Sequence, residues 1–143
     1  GWRIGWTLAP PELAEAVVKA LQYVSTCSNW LSQQLAMYAL SDEGLAASRE
    51  VLDQLKACRE LALTRLKPWR EKVMAPPAGP YLMLRTPDDD LQVCQHLAAR
   101  GVICVPGRAF GSVSQGWLRI NIAVPPAKLE TALEIVINEL YLH

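Results

Sequence analysis

Residues 101–122, GVICVPGRAFGSVSQGWLRINI, contain two strand-like segments joined by a glycine-rich turn. The first, Val102-Ile103-Cys104-Val105, is a short apolar run closed by Pro106-Gly107, which is typical of a buried strand. The second covers residues 117–122 and alternates, so one face of the predicted strand is apolar. The residues of that apolar face are Leu118, Ile120 and Ile122.

Further elements are predicted on both sides of this stretch. Tyr81-Leu82-Met83-Leu84 follows a run of prolines and reads as a third strand. One helix is predicted to begin at Pro87-Asp88-Asp89-Asp90 and to be capped by Gly101, and the last helix begins at Pro125-Pro126. Strands mixed with helices in this order predict an α+β domain, with a short mixed or antiparallel three-stranded sheet covered by helices.

The first half of the chain is predicted to contain three helices. Apolar spacing predicts helices over residues 11–24 and from Trp30 to about Leu40. A heptad-like seam of leucines, beginning at Leu45 and ending at Trp69, predicts one long helix over residues 43–72. Prolines and Gly79 end this helical part.

Composition excludes several classes of protein. The chain has 143 residues, 51% hydrophobic and 20% charged, and its formal net charge is zero. The hydrophobic share is too high for a disordered chain, and the zero charge argues against a nucleic-acid partner. No apolar run approaches the length that spans a bilayer, so no membrane partner is predicted.

Cysteine and histidine usage predicts a cytoplasmic protein without a metal. The four cysteines are not arranged as C-x-x-C, and a chain of this size needs no disulfide, so all four are expected to be reduced and mostly buried. Only His96 and His143 are present, and neither has a ligand-type neighbour at metal-binding spacing.

Three features could bind a ligand. Arg119 shares the polar face of its strand with Trp117 and Asn121, and a rigidly held arginine can grip a planar carboxylate. Arg3 lies between two glycines and could bind phosphate. The turn over residues 106–111 contains two glycines and a proline and is followed by the strand that carries Arg119, so a rigid turn is expected near a possible site. From the residues alone, the favoured interpretation of both arginines is an ordinary surface side chain, and that of the turn is a simple connection between strands.

Taken in order, four segments resemble the C-terminal portion of class I/II aminotransferases, which are fold-type I enzymes that use pyridoxal phosphate. These segments are Gly1-Trp-Arg-Ile-Gly-Trp6, Gly79-Pro80-Tyr81, Gly101-Val-Ile-Cys-Val-Pro-Gly107 with Phe110-Gly111, and Trp117-Leu118-Arg119-Ile120. Each motif is weak alone. The resemblance extends from residue 1 to about residue 140.

The resemblance implies roles for both arginines. In the family, the corresponding residues bind the cofactor phosphate, here Arg3, and the substrate α-carboxylate, here Arg119. Residues 1–40 would be the end of the large domain with interdomain helices, and residues 41–143 the small C-terminal domain. The amino acid and 2-oxo acid substrates and the dimeric assembly of the parent enzyme are implied in the same way.

The family's Schiff-base lysine lies a few residues before the phosphate arginine, outside this sequence. The lysines present stand in other contexts: Lys19, Lys56, Lys67, Lys72 and Lys128. We therefore expect a fragment with no catalytic residue, no bound cofactor and no activity alone. The exposed apolar faces of residues 1–40, including Trp2, Trp6, Trp30 and Leu31, are expected to cause self-association.

Two alternatives remain open at the sequence level. The parent could be a fold-type I lyase or decarboxylase, because the same fold and the same two arginines serve several reactions. The chain could also be a stand-alone module that binds a carboxylate ligand or a partner chain without catalysis.

Overall fold

The structure is a computed structural model that describes residues 1–142. His143, considered above as a metal ligand and as the end of the predicted small domain, lies outside the described residues. The chain divides into two compact units, Gly1–Val51 and Leu52–His143. The predicted boundary between residues 40 and 41 stays a prediction.

The first unit contains α1 (Pro11–Val24), α2 (Trp30–Ala39) and the beginning of α3 (Asp42–Arg65). The helices predicted over residues 11–24 and from Trp30 are thus confirmed. Pro11 suits the first turn of α1, because proline at that position loses no helical hydrogen bond. At the start of α2, the Asn29 side chain accepts a hydrogen bond from the Ser32 N–H at 3.2 Å.

The second unit is a sheet packed on helices. Its elements after α3 are a 3-10 segment (Lys67–Lys72), β1 (Val73–Met74), β2 (Tyr81–Arg85), α4 (Asp90–Ala99), β3 (Val105–Pro106), two 3-10 turns (Gly107–Phe110 and Ser112–Ser114), β4 (Trp117–Asn121) and α5 (Pro126–Tyr141). The described strands form one antiparallel sheet in the order β1-β2-β4-β3. This confirms the α+β class and adds a fourth strand, β1, to the three predicted.

One face of the sheet packs on helices α3, α4 and α5 to form the hydrophobic core. Leu82 and Leu84 of β2 and Leu118 of β4 are fully buried there. The helices contribute the buried side chains Cys58, Ala62, Leu97, Leu129, Leu133 and Val136. The sheet side chains on the opposite face are only partly covered.

The single helix predicted over residues 43–72 was wrong at its end. Helix α3 stops at Arg65, and residues Lys67–Lys72 form a 3-10 segment with non-helical angles at Trp69. The cause is Pro68, which has no N–H to donate and whose ring clashes with the preceding helical turn.

The buried strand predicted over residues 102–105 was also wrong in part. Only Val105–Pro106 pairs with β4, and the Ile103 side chain is 89% exposed. The turn at the end of α4 explains the difference. Gly101 has a φ of +85°, and the Val102 N–H donates to the Leu97 carbonyl at 2.9 Å, so residue 102 still belongs to the helix cap. The predicted cap at Gly101 is confirmed.

The cysteines are all free thiols in the structure. Cys58 and Cys94 are buried and Cys104 is half-buried, whereas Cys27 is exposed and is the exception to the predicted burial. The Cys94 and Cys104 sulfurs lie 3.1 Å apart. Burial raises the pKa of the Cys104 thiol to about 12, which keeps it protonated at neutral pH.

Candidate functional site

Arg119 lies at the centre of β4, paired with Met83 of β2 on one side and with Val105 of β3 on the other. Its neighbours along the strand, Leu118 and Ile120, are buried in the core. Because side chains alternate along a strand, the Arg119 side chain leaves the sheet on the opposite, partly open face, as the alternation predicted.

Two aromatic rings lie against the Arg119 guanidinium. Its central carbon, Cζ, is 4.3 Å from the ring centroid of Tyr81 and 4.6 Å from that of Phe110. Both distances are within the range of a cation–π interaction. Such stacking uses the face of the guanidinium, so the N–H groups at its edge stay available to an acceptor. Tyr81 and Phe110 belong to two of the four resembling segments, which therefore meet at Arg119.

The guanidinium borders a cavity of about 260 Å³. The rest of its lining is Ser114 and five apolar side chains: Met74, Met83, Phe110, Val113 and Trp117. Within residues 1–142, no carboxylate forms an ion pair with Arg119. A cationic fork beside an apolar cavity is suited to an organic anion.

The other two residues predicted on the polar face of β4 make contacts of their own. Trp117 stacks with Arg85, whose Cζ lies 5.4 Å from the ring centroid. Asn121 is exposed, and its side-chain oxygen accepts a hydrogen bond from the Ala123 N–H at 2.9 Å. Asn121 therefore stabilises the turn after β4.

The predicted turn over residues 106–111 holds Phe110 beside Arg119. A side chain on buried Gly107 would place its Cβ 1.9 Å from the Ser114 carbonyl oxygen and 2.7 Å from that of Trp117, so only glycine fits there. The next residue, Arg108, ties the turn to the start of α4. Its backbone N–H donates to Asp90 Oδ2 at 2.9 Å, and its Nε donates to Asp90 Oδ1 at 2.5 Å.

The sequence does not predict this ion pair, because Asp88, Asp89 and Asp90 stand together at the predicted start of a helix. Asp89 does cap α4, since its Oδ1 accepts from the N–H groups of Leu91 and Gln92. Asp90 instead is 0% exposed. Burial alone would raise the pKa of Asp90, but the hydrogen bonds and charge of Arg108 outweigh it, so the pKa lies below its usual value. Nothing in the sequence distinguishes Asp90 from its two acidic neighbours.

Arg3 lies in the first unit, in a stretch without helix or strand. It is exposed and has a φ of +54°, which is uncommon for a residue other than glycine. The chain beside it is attached to α2, because the Ser32 hydroxyl donates to the Trp2 carbonyl at 2.8 Å. The Arg3 guanidinium is thus accessible on a locally tethered segment.

The chain matches the family model described as aminotransferase class I and II over residues 1–136. An aspartate aminotransferase of Pyrococcus abyssi is 32% identical over 139 residues, which cover 94% of this chain and 36% of that enzyme. An aromatic-amino-acid aminotransferase of Thermococcus litoralis is 31% identical, with coverage of 94% and 36%. The chain therefore belongs to the class I and II aminotransferase family, and it spans about a third of the length of these relatives.

Solved structures agree with this assignment. An aminotransferase from Mycobacterium tuberculosis superposes with a TM-score of 0.81 at 28% identity, covering 99% of this chain and 38% of that one. An aromatic aminotransferase from Pyrococcus horikoshii gives 0.76 at 29% identity, covering 96% and 39%. The predicted fold, that of a portion of a fold-type I aminotransferase, is confirmed.

The family implies pyridoxal phosphate, and the described residues fit this cofactor in part. Arg3 offers an accessible cation for a phosphate. The lysines do not fit a covalent link, because all five are exposed side chains on helical segments. Lys56, for example, pairs with Asp53 at 2.8 Å, and Lys72 lies over the Tyr141 ring at 5.3 Å. A lysine that binds a carbonyl is usually desolvated or placed beside another cation.

Within residues 1–142, the structure brings together no group of three potential metal ligands. None of the helices in that range is both long and apolar enough to cross a membrane.

Proposed function

We propose that this chain is the small-domain portion of a pyridoxal-phosphate-dependent aminotransferase, and that Arg119 binds the α-carboxylate of an amino acid or 2-oxo acid. The observation that supports this role is the Arg119 guanidinium, held against Tyr81 and Phe110 beside a cavity and without an acidic partner among the described residues. A guanidinium fixed in this way can form two parallel hydrogen bonds to a carboxylate.

Arg3 is proposed to bind the cofactor phosphate. Its exposure and its unusual backbone conformation support this role, together with the resemblance of its G-x-R-x-G segment to the family pattern. When bound, the cofactor supplies the electron sink for amino-group transfer, and the protein orients the reactants. The two arginines contribute binding and orientation, and neither moves a proton.

The family relatives support amino-group transfer over the lyase and decarboxylase reactions, because those described above are named as aminotransferases. The parent enzyme is proposed to act on an amino acid and a 2-oxo acid, as a cytoplasmic dimer. The free cysteines support the cytoplasmic location, and the exposed tryptophans of the first unit support association.

Carboxylate binding tests the proposal directly. The full 143-residue chain is titrated with propanoate and followed by NMR through the backbone N–H resonances of β4, which every variant retains, and through the side-chain Nε–Hε resonance of Arg119 where it is present; sodium chloride is the ionic-strength control. We expect a saturable shift in the wild type and no propanoate binding in Arg119→Gln. Arg85→Gln is the matched control, because Arg85 also stacks on an aromatic ring of the same sheet, and it should leave the affinity unchanged. Equal affinity in Arg119→Gln and the wild type would refute the proposed role.

The chain alone is proposed to have no transaminase activity, because none of its five lysines has the surroundings that the reaction requires. The assay mixes the purified chain with pyridoxal phosphate, an amino acid and a 2-oxo acid. Turnover that depends on the chain would overturn this part of the proposal.

A further inference from the structure

The turn Gly107–Phe110 is held to the start of α4 by three side chains, Asp89, Asp90 and Arg108, here called the Arg108 clasp. Asp90 accepts the backbone N–H and the Nε–H of Arg108 on its two oxygens, at 2.9 and 2.5 Å. The Nη2 of Arg108 also contacts both Asp89 and Asp90. Because Asp90 is 0% exposed, its charge depends on these bonds for compensation.

The same turn ends with Phe110, which lies against the Arg119 guanidinium. Phe110 is 46% exposed, so burial does not fix its ring. Two attachments fix the turn instead: Gly107, packed tightly on the Ser114 and Trp117 carbonyls, and the Arg108 clasp. Phe110 is only two residues after Arg108, so the clasp is connected to Arg119 through a short piece of backbone and the Phe110 ring.

We propose that Asp90 is a positioning residue for Arg119: through Arg108 it places Phe110 so that the guanidinium is held ready for a carboxylate. The consequence for binding rests on the proposed function of Arg119. A flexible arginine must lose rotamer freedom when it binds, and a partner ring that holds it beforehand reduces this cost. Tyr81 belongs to β2 and supports Arg119 from the sheet itself. The clasp therefore affects only the contact between Phe110 and Arg119.

The test measures the contact between Phe110 and Arg119 by NMR of the full chain. Aromatic rings shift the Arg119 Nε–Hε resonance, and Phe110→Leu shows where that resonance lies without one ring. We expect Asp90→Asn, which removes the charge and weakens both bonds to Arg108, to move the resonance most of the way to its Phe110→Leu position. Asp53→Asn is the matched control, because Asp53 pairs with Lys56 on the exposed surface of α3.

Propanoate titration provides the second measurement. Asp90→Asn should raise the dissociation constant about threefold to tenfold, the range expected when one side chain must be immobilised on binding. Arg108→Lys keeps the charge and the backbone bond but loses the planar fork, so it should give a smaller change in the same direction. Arg108 is partly exposed, so this variant decides the question if Asp90→Asn does not fold.

The outcomes separate the two proposals. An Arg119 resonance that stays at its wild-type position in the folded clasp variants overturns the positioning role, whatever happens to the melting temperature. A wild-type chain that does not bind propanoate refutes the proposed function of Arg119, while the resonance comparison still decides the role of the clasp.

Discussion

For Arg119, the sequence predicts the face of the strand but not the side chains that contact the guanidinium. Strand alternation placed it on the face opposite Leu118 and Ile120, and the structure confirms this. The contact with Phe110 could not be read from the sequence, because it depends on how a turn nine residues earlier folds back over the sheet. Tyr81 and Phe110 belong to segments that resemble the family, but the resemblance does not indicate that both rings contact one guanidinium.

At Asp90 the local sequence pattern indicates a solvated carboxylate, whereas the structure buries it. An acidic run at a helix start is usually solvated, because it complements the helix dipole from the surface. Asp89 follows that rule, but Asp90 points inward to Arg108, 18 residues later. Only the tertiary fold distinguishes the two adjacent carboxylates.

The clasp predicts a loss of stability in acid. The pKa values of Asp89 and Asp90 both lie below their usual value of 3.8 in the folded chain. At Asp89 the main cause is the hydrogen bond from Arg108. The native state thus binds fewer protons than the unfolded state, so the stabilisation is complete above pH 3.8 and is lost as the pH falls through the folded pKa values. The loss is measured as the free energy of unfolding in urea at a series of pH values from about 6 to about 2.

Asp90→Asn should reduce this dependence on pH, because residue 90 then no longer titrates. Asp53→Asn serves again as the control and should leave the acid limb of the curve as in the wild type. An acid limb that is identical in the wild type and Asp90→Asn would contradict the assignment of the loss to the clasp.

At the scale of elements, periodicity succeeded where a helix or strand has one buried face. This holds for α5, β2 and β4, which follow the prediction closely. Helix α1 also matches its predicted bounds, although none of its side chains is buried. Periodicity failed where a backbone effect overrides the apolar pattern. Pro68 ends α3 within a continuous seam, and the cap at Gly101 takes Val102 out of the strand that its side chain favours.

The buried face of α4 contains Val93, Cys94 and Leu97, whereas Leu91 is 41% exposed. The start of the helix is rotated so that Asp90 reaches Arg108, and residues 93, 94 and 97 then share its face.

Paired substitutions in α4 test this orientation. Leu97 is fully buried, so Leu97→Ala should lower the free energy of unfolding by about 2–5 kcal/mol through lost contacts and a cavity. Leu91→Ala, in the same helix and with the same chemical change, should cost about 1 kcal/mol or less. Both values come from urea unfolding, and a larger cost at Leu91 than at Leu97 would show that the helix is oriented differently.

At the scale of the whole molecule, the 143 residues correspond to about a third of the relatives' length. The predicted exposure of the first unit's apolar side chains is confirmed: Trp2 is 61%, Trp6 66% and Trp30 71% exposed. Large aromatic side chains in exposed patches are typical of surfaces that associate with another protein.

We therefore expect the chain to self-associate at micromolar concentration, as measured by sedimentation velocity. Replacing Trp2 and Trp30 by Ser should shift the population towards monomer. Ile103→Ser is the control, because Ile103 is an exposed apolar residue of the second unit. A wild-type chain that sediments as a monomer at these concentrations would contradict this expectation.

Arg119 is proposed as the carboxylate-binding residue of an aminotransferase, and a crystal structure of the chain soaked with pyruvate, a simple 2-oxo acid, would show this contact itself. We expect pyruvate to lie with its carboxylate on the Arg119 guanidinium, in two parallel hydrogen bonds of about 2.7–2.9 Å, beside Tyr81 and Phe110. Pyruvate ordered elsewhere on the chain, with the Arg119 guanidinium bound to an acidic side chain of the protein, would contradict it.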